Sequence, residues 1–269
     1  DWHDGRLTTV GKIHLIAHTI RPRLPEYISL GFEMHYDYEY SFENADEIAD
    51  ALSRSGVYLA MATPGAHRHF GYGGIASLDP KERSAAEDYG NKSIDLVYAQ
   101  LRKAWHTDPG LAPVLVLWNG SYGYDLASVG IKKMYDNLKE SVARFCEYEN
   151  SKGGKLYIGI EPKPNEGHPA MLLPTVASSL LFWLRLEKEF GISLDRKGVN
   201  KEFGHTEMIG LDHVLDTVEE LDASMIVHMH LNSQGYNDGI IYGGPGKYDI
   251  DHGTRINGCL LYTSDAADE

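Results

Sequence analysis

Cysteine, long apolar runs and positive charge are all scarce in this chain of 269 residues. With only two cysteines, neither a disulfide framework nor a thiolate metal site is predicted, and a reducing, cytoplasmic setting is the default expectation. No apolar run approaches the roughly 18 residues that a membrane-spanning helix needs, and no signal sequence opens the chain. The formal net charge of −14 disfavours nucleic acid and anionic membranes as partners. A cation or a neutral polar small molecule fits this composition better.

Short apolar runs alternate with helical patterns along most of the chain. This alternation is typical of βα units around a parallel sheet. It predicts an α/β fold, a (β/α)8 TIM barrel that is incomplete and has about seven units. The predicted strands are 12–18, 31–36, 57–63, 114–119, 155–161, 197–202 and 225–232. The last helix is predicted to begin at Asp212 and to bury one apolar stripe, which consists of Val214, Leu215, Val218 and Leu221.

The length and the C-terminal sequence predict one domain followed by a foreign tail. Residues 1–258 are expected to form a single barrel domain, since α/β barrels reach this length without dividing. Residues 259–269 continue no earlier pattern and resemble translated sequencing-adapter sequence. We therefore expect a C-terminally truncated piece of a longer parent, with little or no activity of its own.

Polar side chains cluster where three consecutive predicted strands end. Glu161 and Lys163 follow one strand, Glu202 and His205 follow the next, and His230 ends the one after. In a βα barrel these ends line the mouth of the active site. Carboxylate oxygens suit hard divalent cations, and imidazole shifts the preference toward manganese or cobalt without excluding magnesium. The pattern predicts a divalent metal site.

Each of these residues also has a purely structural interpretation. Glu161 and Lys163 could form a salt bridge at a strand end, although the flanking prolines would hold the lysine in one direction and favour a catalytic cation. His230 alone could be a buried core histidine, and the pattern does not separate it from His228 on the same strand face. The metal interpretation is favoured because the three strand ends supply matching donors.

Further candidates lie in loops and in the N-terminal half. Asp249 and Asp251 follow a glycine-rich stretch and are either metal ligands or part of a solvated turn, and Asp238 is a competing carboxylate.

His35 ends a predicted strand beside Asp37, where a neighbouring carboxylate would raise its basicity, or it is a buried structural histidine. Trp118 ends another strand and either packs on a sugar or fills the core, while His67 either reaches the substrate or is solvated.

Together these segments resemble xylose isomerase and related metal-dependent aldose–ketose isomerases. The resemblance is dense from about residue 155 to 253 and thinner before that. It is carried by four motifs: Glu161-Pro-Lys-Pro-Asn-Glu166, Glu202-Phe-Gly-His205, His228-x-His230-Leu-Asn232-x-Gln234 and Lys247-Tyr-Asp249-x-Asp251.

The resemblance implies two divalent cations, Mg²⁺, Mn²⁺ or Co²⁺, that hold an open-chain sugar such as D-xylose during a 1,2-hydride shift, with no organic cofactor. Glu161 would bind the structural ion and Glu202 would bridge both ions. His205, Asp249 and Asp251 would hold the second ion. A homotetramer is also implied for the full-length parent.

His230 stands where xylose isomerases usually have an aspartate and rhamnose isomerases have a histidine, which weakens the assignment to xylose. The ligand that the family carries on its last strand is expected to lie beyond this chain.

The same resemblance implies the remaining roles. Lys163 would steady the carbonyl oxygen, and His35 would assist ring opening. Asp37 lies in the segment after His35 where members of the family carry a run of aspartates. Trp118 would shield the site from water. His67 and Asn232 are candidate substrate contacts.

Two other functions stay open. A metal-dependent sugar epimerase or dehydratase on a related barrel would use the same ligands with a carboxylate base. An inactive metal-binding or sugar-binding fragment is the non-enzymatic alternative.

Overall fold

A computed structural model describes residues 7–65, 69–118, 130–164 and 171–231. Within these ranges, β-strands and α-helices alternate from residue 31 onward. The strands are β1 (Gly31–His35), β2 (Tyr58–Thr63), β3 (Val114–Trp118), β4 (Tyr157–Glu161), β5 (Lys197–Glu202) and β6 (Ile226–His230). The α-helices are α1 (Thr9–Thr19), α2 (Ala45–Ser55), α3 (Pro80–Tyr98), α4 (Ile131–Lys152), α5 (Val176–Phe190), α6 (Phe203–Met208) and α7 (His213–Asp222). Short 3₁₀ helices cover Arg21–Arg23, Gly74–Ala76, Leu101–Ala104 and Pro109–Leu111.

The six strands form one parallel sheet in the order β1-β2-β3-β4-β5-β6. Each strand pairs with the next one along the chain, as βα units dictate. The sheet curls into a half-barrel, and Glu33 on β1 reaches His228 on β6 across its inner face. The predicted α/β fold with an incomplete TIM barrel is therefore confirmed.

The predicted strand at 12–18 is wrong, because these residues lie in helix α1. Thr8 caps this helix by accepting a hydrogen bond from the backbone of its first turn. Ile13 is fully buried, and Ile16 and Ala17, which lie three and four residues further on, pack against the same core. Apolar residues three and four positions apart are typical of one face of a helix, and the same segment also fits the apolar–polar alternation of a strand. The described residues thus contain six strands rather than seven.

Two apolar regions fill the fold. The larger one lies between the outer face of the sheet and the helices, and Phe182 and Trp183 of α5 are fully buried in it. The smaller one lies inside the curl and consists of Met61, Val114 and Val116, with Tyr157 and Val227 packed against them. Beyond it, toward the carboxyl ends of the strands, the inner face becomes polar. This change in polarity positions the site described below.

Helix α7 begins where predicted but packs through the opposite face. Asp212 caps it by accepting a hydrogen bond from the backbone of Val214. The side chains predicted to face inward are 46 to 61% exposed: Val214, Leu215, Val218 and Leu221. The face that is buried carries His213, Asp216 and Glu220. Lys201 of β5 explains this orientation, since its buried ammonium donates to the His213 carbonyl and the Thr217 hydroxyl.

Gly198 allows a close approach that fixes β5 against the start of β6. A Cβ atom at this position would lie 1.9 Å from the Met225 carbonyl oxygen. The Gly198 carbonyl in turn accepts a 2.7 Å hydrogen bond from the indole of Trp183. A side chain at position 198 would therefore push apart the two strands that end at the site. Within the described ranges, no helix is both long and apolar enough to cross a membrane.

Candidate metal centre

Three adjacent strands, β4, β5 and β6, deliver their last residues to the same edge of the sheet. Glu161 ends β4, Glu202 ends β5 and His230 ends β6. Glu202 and His230 are direct register partners, and Glu161 is the register partner of Trp118 on β3. Parallel neighbouring strands end at one edge, so local strand formation is enough to bring these side chains together.

The donor atoms of these three residues converge on one point. His230 Nδ1 lies 3.5 Å from Glu161 Oε2 and 3.4 Å from Glu202 Oε2. One donor atom from each residue lies within 4.8 Å of the other two. Two ligands that bind one divalent ion at about 2.1 Å each lie roughly 3.0–3.5 Å apart. The spacing and the oxygen–nitrogen donor set therefore fit a divalent cation.

His205 adds a second imidazole on the far side of Glu202. It lies on the short helix α6 that directly follows β5, and its Nε2 is 3.0 Å from Glu202 Oε1. Its Nδ1 is 3.0 Å from the Pro162 carbonyl oxygen. A carbonyl only accepts, so Nδ1 carries the proton and donates it there. In the neutral ring Nε2 then presents a lone pair toward Glu202, and a proton or a cation must lie between them.

Burial makes the charges of this cluster depend on one another. Burial and the nearby Glu202 carboxylate raise the pKa of Glu161 to about 8. Burial would also raise the pKa of Glu202, but the imidazoles of His205 and His230 hold it well below its usual value. Burial would lower the pKa of His230, yet its contacts with the carboxylates of Glu202 and Glu33 raise it to about 11. Ionisation of both buried glutamates thus requires positive charge beside them, which a divalent ion would supply in place of the His230 proton.

Asn200 and Lys163 support Glu161. The Asn200 amide donates a hydrogen bond to Glu161 Oε2, and Asn200 is fully buried. Lys163 is also fully buried, and its charge acts on Glu161 by lowering the pKa of that carboxyl. An ammonium held close to the carboxylates, out of solvent, can polarise a substrate oxygen.

His35 has a different carboxylate neighbour from the one that the sequence suggested. Its Nδ1 lies 3.1 Å from Glu39 Oε2, and its backbone N–H donates to the same oxygen at 2.9 Å. Burial would raise the pKa of Glu39, but these hydrogen bonds from His35 lower it. Asp37 adopts a left-handed backbone with φ of 63° and pairs with His69 at 3.3 Å. Glu39, two residues after Asp37, is therefore the partner of His35.

Several predicted site residues are not placed by the structure. The side chain of Trp118 is not described, although its backbone ends β3. The remaining candidates, like the predicted tail 259–269, lie outside the described residues: His67, Asn232, Asp238, Asp249 and Asp251. Their roles stay predictions.

Sequence reasoning missed two residues of the inner face. Glu33 precedes His35 by two residues on β1, and Asn200 precedes Glu202 by two residues on β5. Residues at this spacing share one face of a strand. Counting back two residues along the strand from His35 and from Glu202 would have identified Glu33 and Asn200.

Comparisons with known proteins identify the fold. No family model matches the chain. A D-tagatose 3-epimerase-like protein is 20% identical, with a TM-score of 0.61 over 87% of this chain and 78% of that one. A D-psicose 3-epimerase from Clostridium cellulolyticum H10 is 14% identical, with a TM-score of 0.59 over 84% and 68%. A xylose isomerase domain protein from Planctomyces limnophilus is 11% identical, with a TM-score of 0.51 over 84% and 71%. At these identities the likeness shows a shared barrel fold.

Proposed function

We propose that the protein is a divalent-metal-dependent sugar isomerase that interconverts an aldose, such as D-xylose, and its ketose. One observation carries the proposal: Glu161, Glu202 and His230 converge at the carboxyl ends of adjacent strands, and His205 on the following helix contacts Glu202. Lys163 lies buried beside them. Such a set of donors with an adjacent ammonium suits the binding and polarisation of sugar oxygens.

The ligand set divides into two parts. We infer that Glu161, Glu202 and His230 hold one cation, and that Glu202 and His205 hold a second one together with Asp249 and Asp251. Mg²⁺, Mn²⁺ and Co²⁺ all suit these donors. When bound, the ions would hold the hydroxyl and carbonyl oxygens of the open-chain sugar and stabilise negative charge on them.

Lys163 stabilises the oxygen that becomes negative during the reaction. In the conversion of aldose to ketose, the C2–H bond breaks and the hydrogen moves with its electron pair to C1. A proton moves from the C2 oxygen to the C1 oxygen, so atoms and charge balance without an external base. A buried ammonium interacts more strongly with the developing charge than an exposed one would.

His35 is the proposed acid–base group for opening the sugar ring. Glu39 holds Nδ1 of its imidazole, which leaves Nε2 to exchange a proton with the ring oxygen. Trp118, His67 and Asn232 are proposed to contact the substrate. Asp37 stays a proposed contributor, acting through its contact with His69.

A sugar epimerase is the second candidate. Two of the three structures compared above are named for 3-epimerases, which supports this candidate. In that reaction a proton leaves a carbon beside the carbonyl and returns to its opposite face.

Turnover in deuterated water separates the two reactions. The purified protein would be incubated with Mn²⁺ and a panel of aldoses and ketoses, and the products would be analysed by NMR. A hydride shift keeps the substrate hydrogen, so the isomerase predicts a ketose without deuterium on carbon. Deuterium on carbon would overturn the hydride shift, and deuterium in a product that differs from its substrate only by inversion of one carbon would support the epimerase. Conversion that proceeds equally fast in EDTA would argue against both metal-dependent reactions.

A further inference from the structure

Glu33 connects the first and last strands of the sheet inside the curl. Its Oε1 lies 2.6 Å from His228 Nε2, and its Oε2 lies 3.2 Å from His230 Nε2. Glu33 and His228 are 195 positions apart in the chain, on opposite edges of the sheet. A single carboxylate thus holds two imidazoles, and one of them belongs to the proposed metal centre.

The two nitrogens of His230 have different kinds of neighbours. On the Nδ1 side, the carboxylates of Glu161 and Glu202 lie at 3.5 and 3.4 Å. The contact with Glu202 is a long hydrogen bond, and both distances suit ligands of one ion. On the Nε2 side, the single carboxylate of Glu33 forms an ion pair at 3.2 Å, and Nε2 makes no aligned hydrogen bond with the described residues. The geometry therefore separates a side with two carboxylates, which suits a metal, from a side with one carboxylate.

A neutral imidazole has one N–H and one lone pair. If Nδ1 binds the ion, the proton must be on Nε2, where a carboxylate can accept it. We propose that Glu33 is a positioning residue that accepts the Nε2–H of His230, and so fixes the tautomer and ring direction that present Nδ1 to the metal. Carboxylate–histidine–metal arrangements of this kind raise ligand basicity and orient the ring.

His228 extends the arrangement by one residue. Its Nε2 is 2.6 Å from Glu33 Oε1, and the two imidazole rings lie 5.2 Å apart at 90°. The His228 imidazole donates to one oxygen of Glu33 and leaves the other oxygen for His230. Because the Glu33 side chain is 41% exposed, this second contact restrains a carboxylate that could otherwise turn toward solvent.

A separate metal site at Glu33, His228 and His230 is the competing interpretation, since their donor atoms also lie within 4.8 Å of one another. The spacing disfavours it. At 2.6 Å, Glu33 Oε1 and His228 Nε2 are closer than two ligands of one ion, which lie roughly 3.0–3.5 Å apart. That distance is typical of a strong hydrogen bond.

This inference rests on the proposed metal centre, and calorimetric titration with Mn²⁺ tests the two separately. The proteins would be the wild type, Glu33→Leu, Glu33→Gln, His228→Gln and Glu161→Gln. Glu187→Gln is the matched control, because Glu187 is an exposed carboxylate on the outer helix α5. We expect Glu33→Leu to weaken Mn²⁺ binding about 10- to 100-fold. We expect a smaller loss in Glu33→Gln, whose amide oxygen still accepts, and no change in Glu187→Gln.

The outcomes are distinguishable. If Glu161→Gln binds Mn²⁺ as tightly as the wild type does, the metal centre itself is wrong. If Glu161→Gln weakens binding and Glu33→Leu does not, only the role of Glu33 is wrong. If Glu33→Leu and His228→Gln each remove one equivalent of Mn²⁺ that Glu161→Gln retains, then Glu33 is a ligand of a separate ion.

Long-range ¹H–¹⁵N correlation spectra provide a second readout that needs no variant to fold. In the wild type labelled at histidine and loaded with Mg²⁺, His230 should carry its proton on Nε2. In Glu33→Leu, if its circular dichroism shows a folded protein, both tautomers should be populated. A His230 ring protonated on Nδ1 in the Mg²⁺-loaded wild type would overturn the proposal.

Discussion

The substitution Glu161→Gln should make the metal-free protein less sensitive to alkaline pH while abolishing tight metal binding. Glu161 is nine-tenths buried or more, beside Glu202, and its pKa is raised from 4.5 to about 8. Glutamine mimics the protonated acid, and its amide oxygen can still accept the hydrogen bond from Asn200. The variant therefore keeps the folded geometry without the buried charge.

The sign and size of the effect follow from linkage. A carboxyl whose pKa is higher in the folded state binds its proton more tightly there, so its stabilisation is present at low pH and is lost as pH rises through the folded pKa. Each pKa unit corresponds to about 1.4 kcal/mol, so Glu161 should cost the metal-free wild type about 3 kcal/mol between pH 5 and 8. His230, with a pKa raised from 6.5 to about 11, adds a loss of the same sign above pH 6.5, and this loss is smaller in the variant because the Glu161 charge contributes to the raised pKa. The quantity to compare is thus the difference between wild type and variant.

Urea unfolding in EDTA at pH 5, 6.5 and 8 measures this difference. We expect the wild type to lose about 3 kcal/mol more than Glu161→Gln over that range. Adding Mn²⁺ at 100 times its dissociation constant at pH 8 should restore about 2.7 kcal/mol to the wild type alone. Parallel pH dependences, with equal stabilisation of both proteins by Mn²⁺, would refute the reasoning.

Three further predictions follow. Lys163→Met should lower turnover about 100- to 1,000-fold without weakening Mn²⁺ binding, as steady-state kinetics and calorimetry would show, and an unchanged rate would contradict its role. Gly198→Ala should destabilise the protein by about 3 kcal/mol or more in urea unfolding, since its Cβ would lie 1.9 Å from the Met225 carbonyl oxygen. Gly191→Ala, where nothing lies within 4 Å and φ is +69°, should cost only about 1 kcal/mol, and equal losses at both glycines would refute the steric explanation. His205→Gln should reduce tightly bound Mn²⁺ from two equivalents to one in equilibrium dialysis, and two retained equivalents would argue against the second ion.

The strand ends of the candidate site were predictable because they depend on local signals. Glu161 and His230 end short runs rich in apolar residues, Glu202 ends the strand between them, and parallel strands carry such ends to one edge. The convergence needs no knowledge of long-range contacts. It follows from strand identity and chain order alone.

Other features depended on partners that a sequence pattern does not reveal. The apolar stripe of α7 predicts burial, yet the helix turns its polar face inward because Lys201 needs hydrogen-bond acceptors. The strand period places Glu33 on the inner face but does not identify its partner His228, which is 195 positions away. The run at 12–18 fits both a strand and a helix, and burial of Ile13 on the helical face of α1 decided between them.

The most direct test of the metal centre is an anomalous difference map from crystals of the protein soaked in Mn²⁺. The account predicts a peak about 2.1–2.3 Å from a carboxylate oxygen of Glu161, a carboxylate oxygen of Glu202 and Nδ1 of His230. A peak bound through His230 Nε2 and Glu33, or no peak between the two carboxylates, would contradict it.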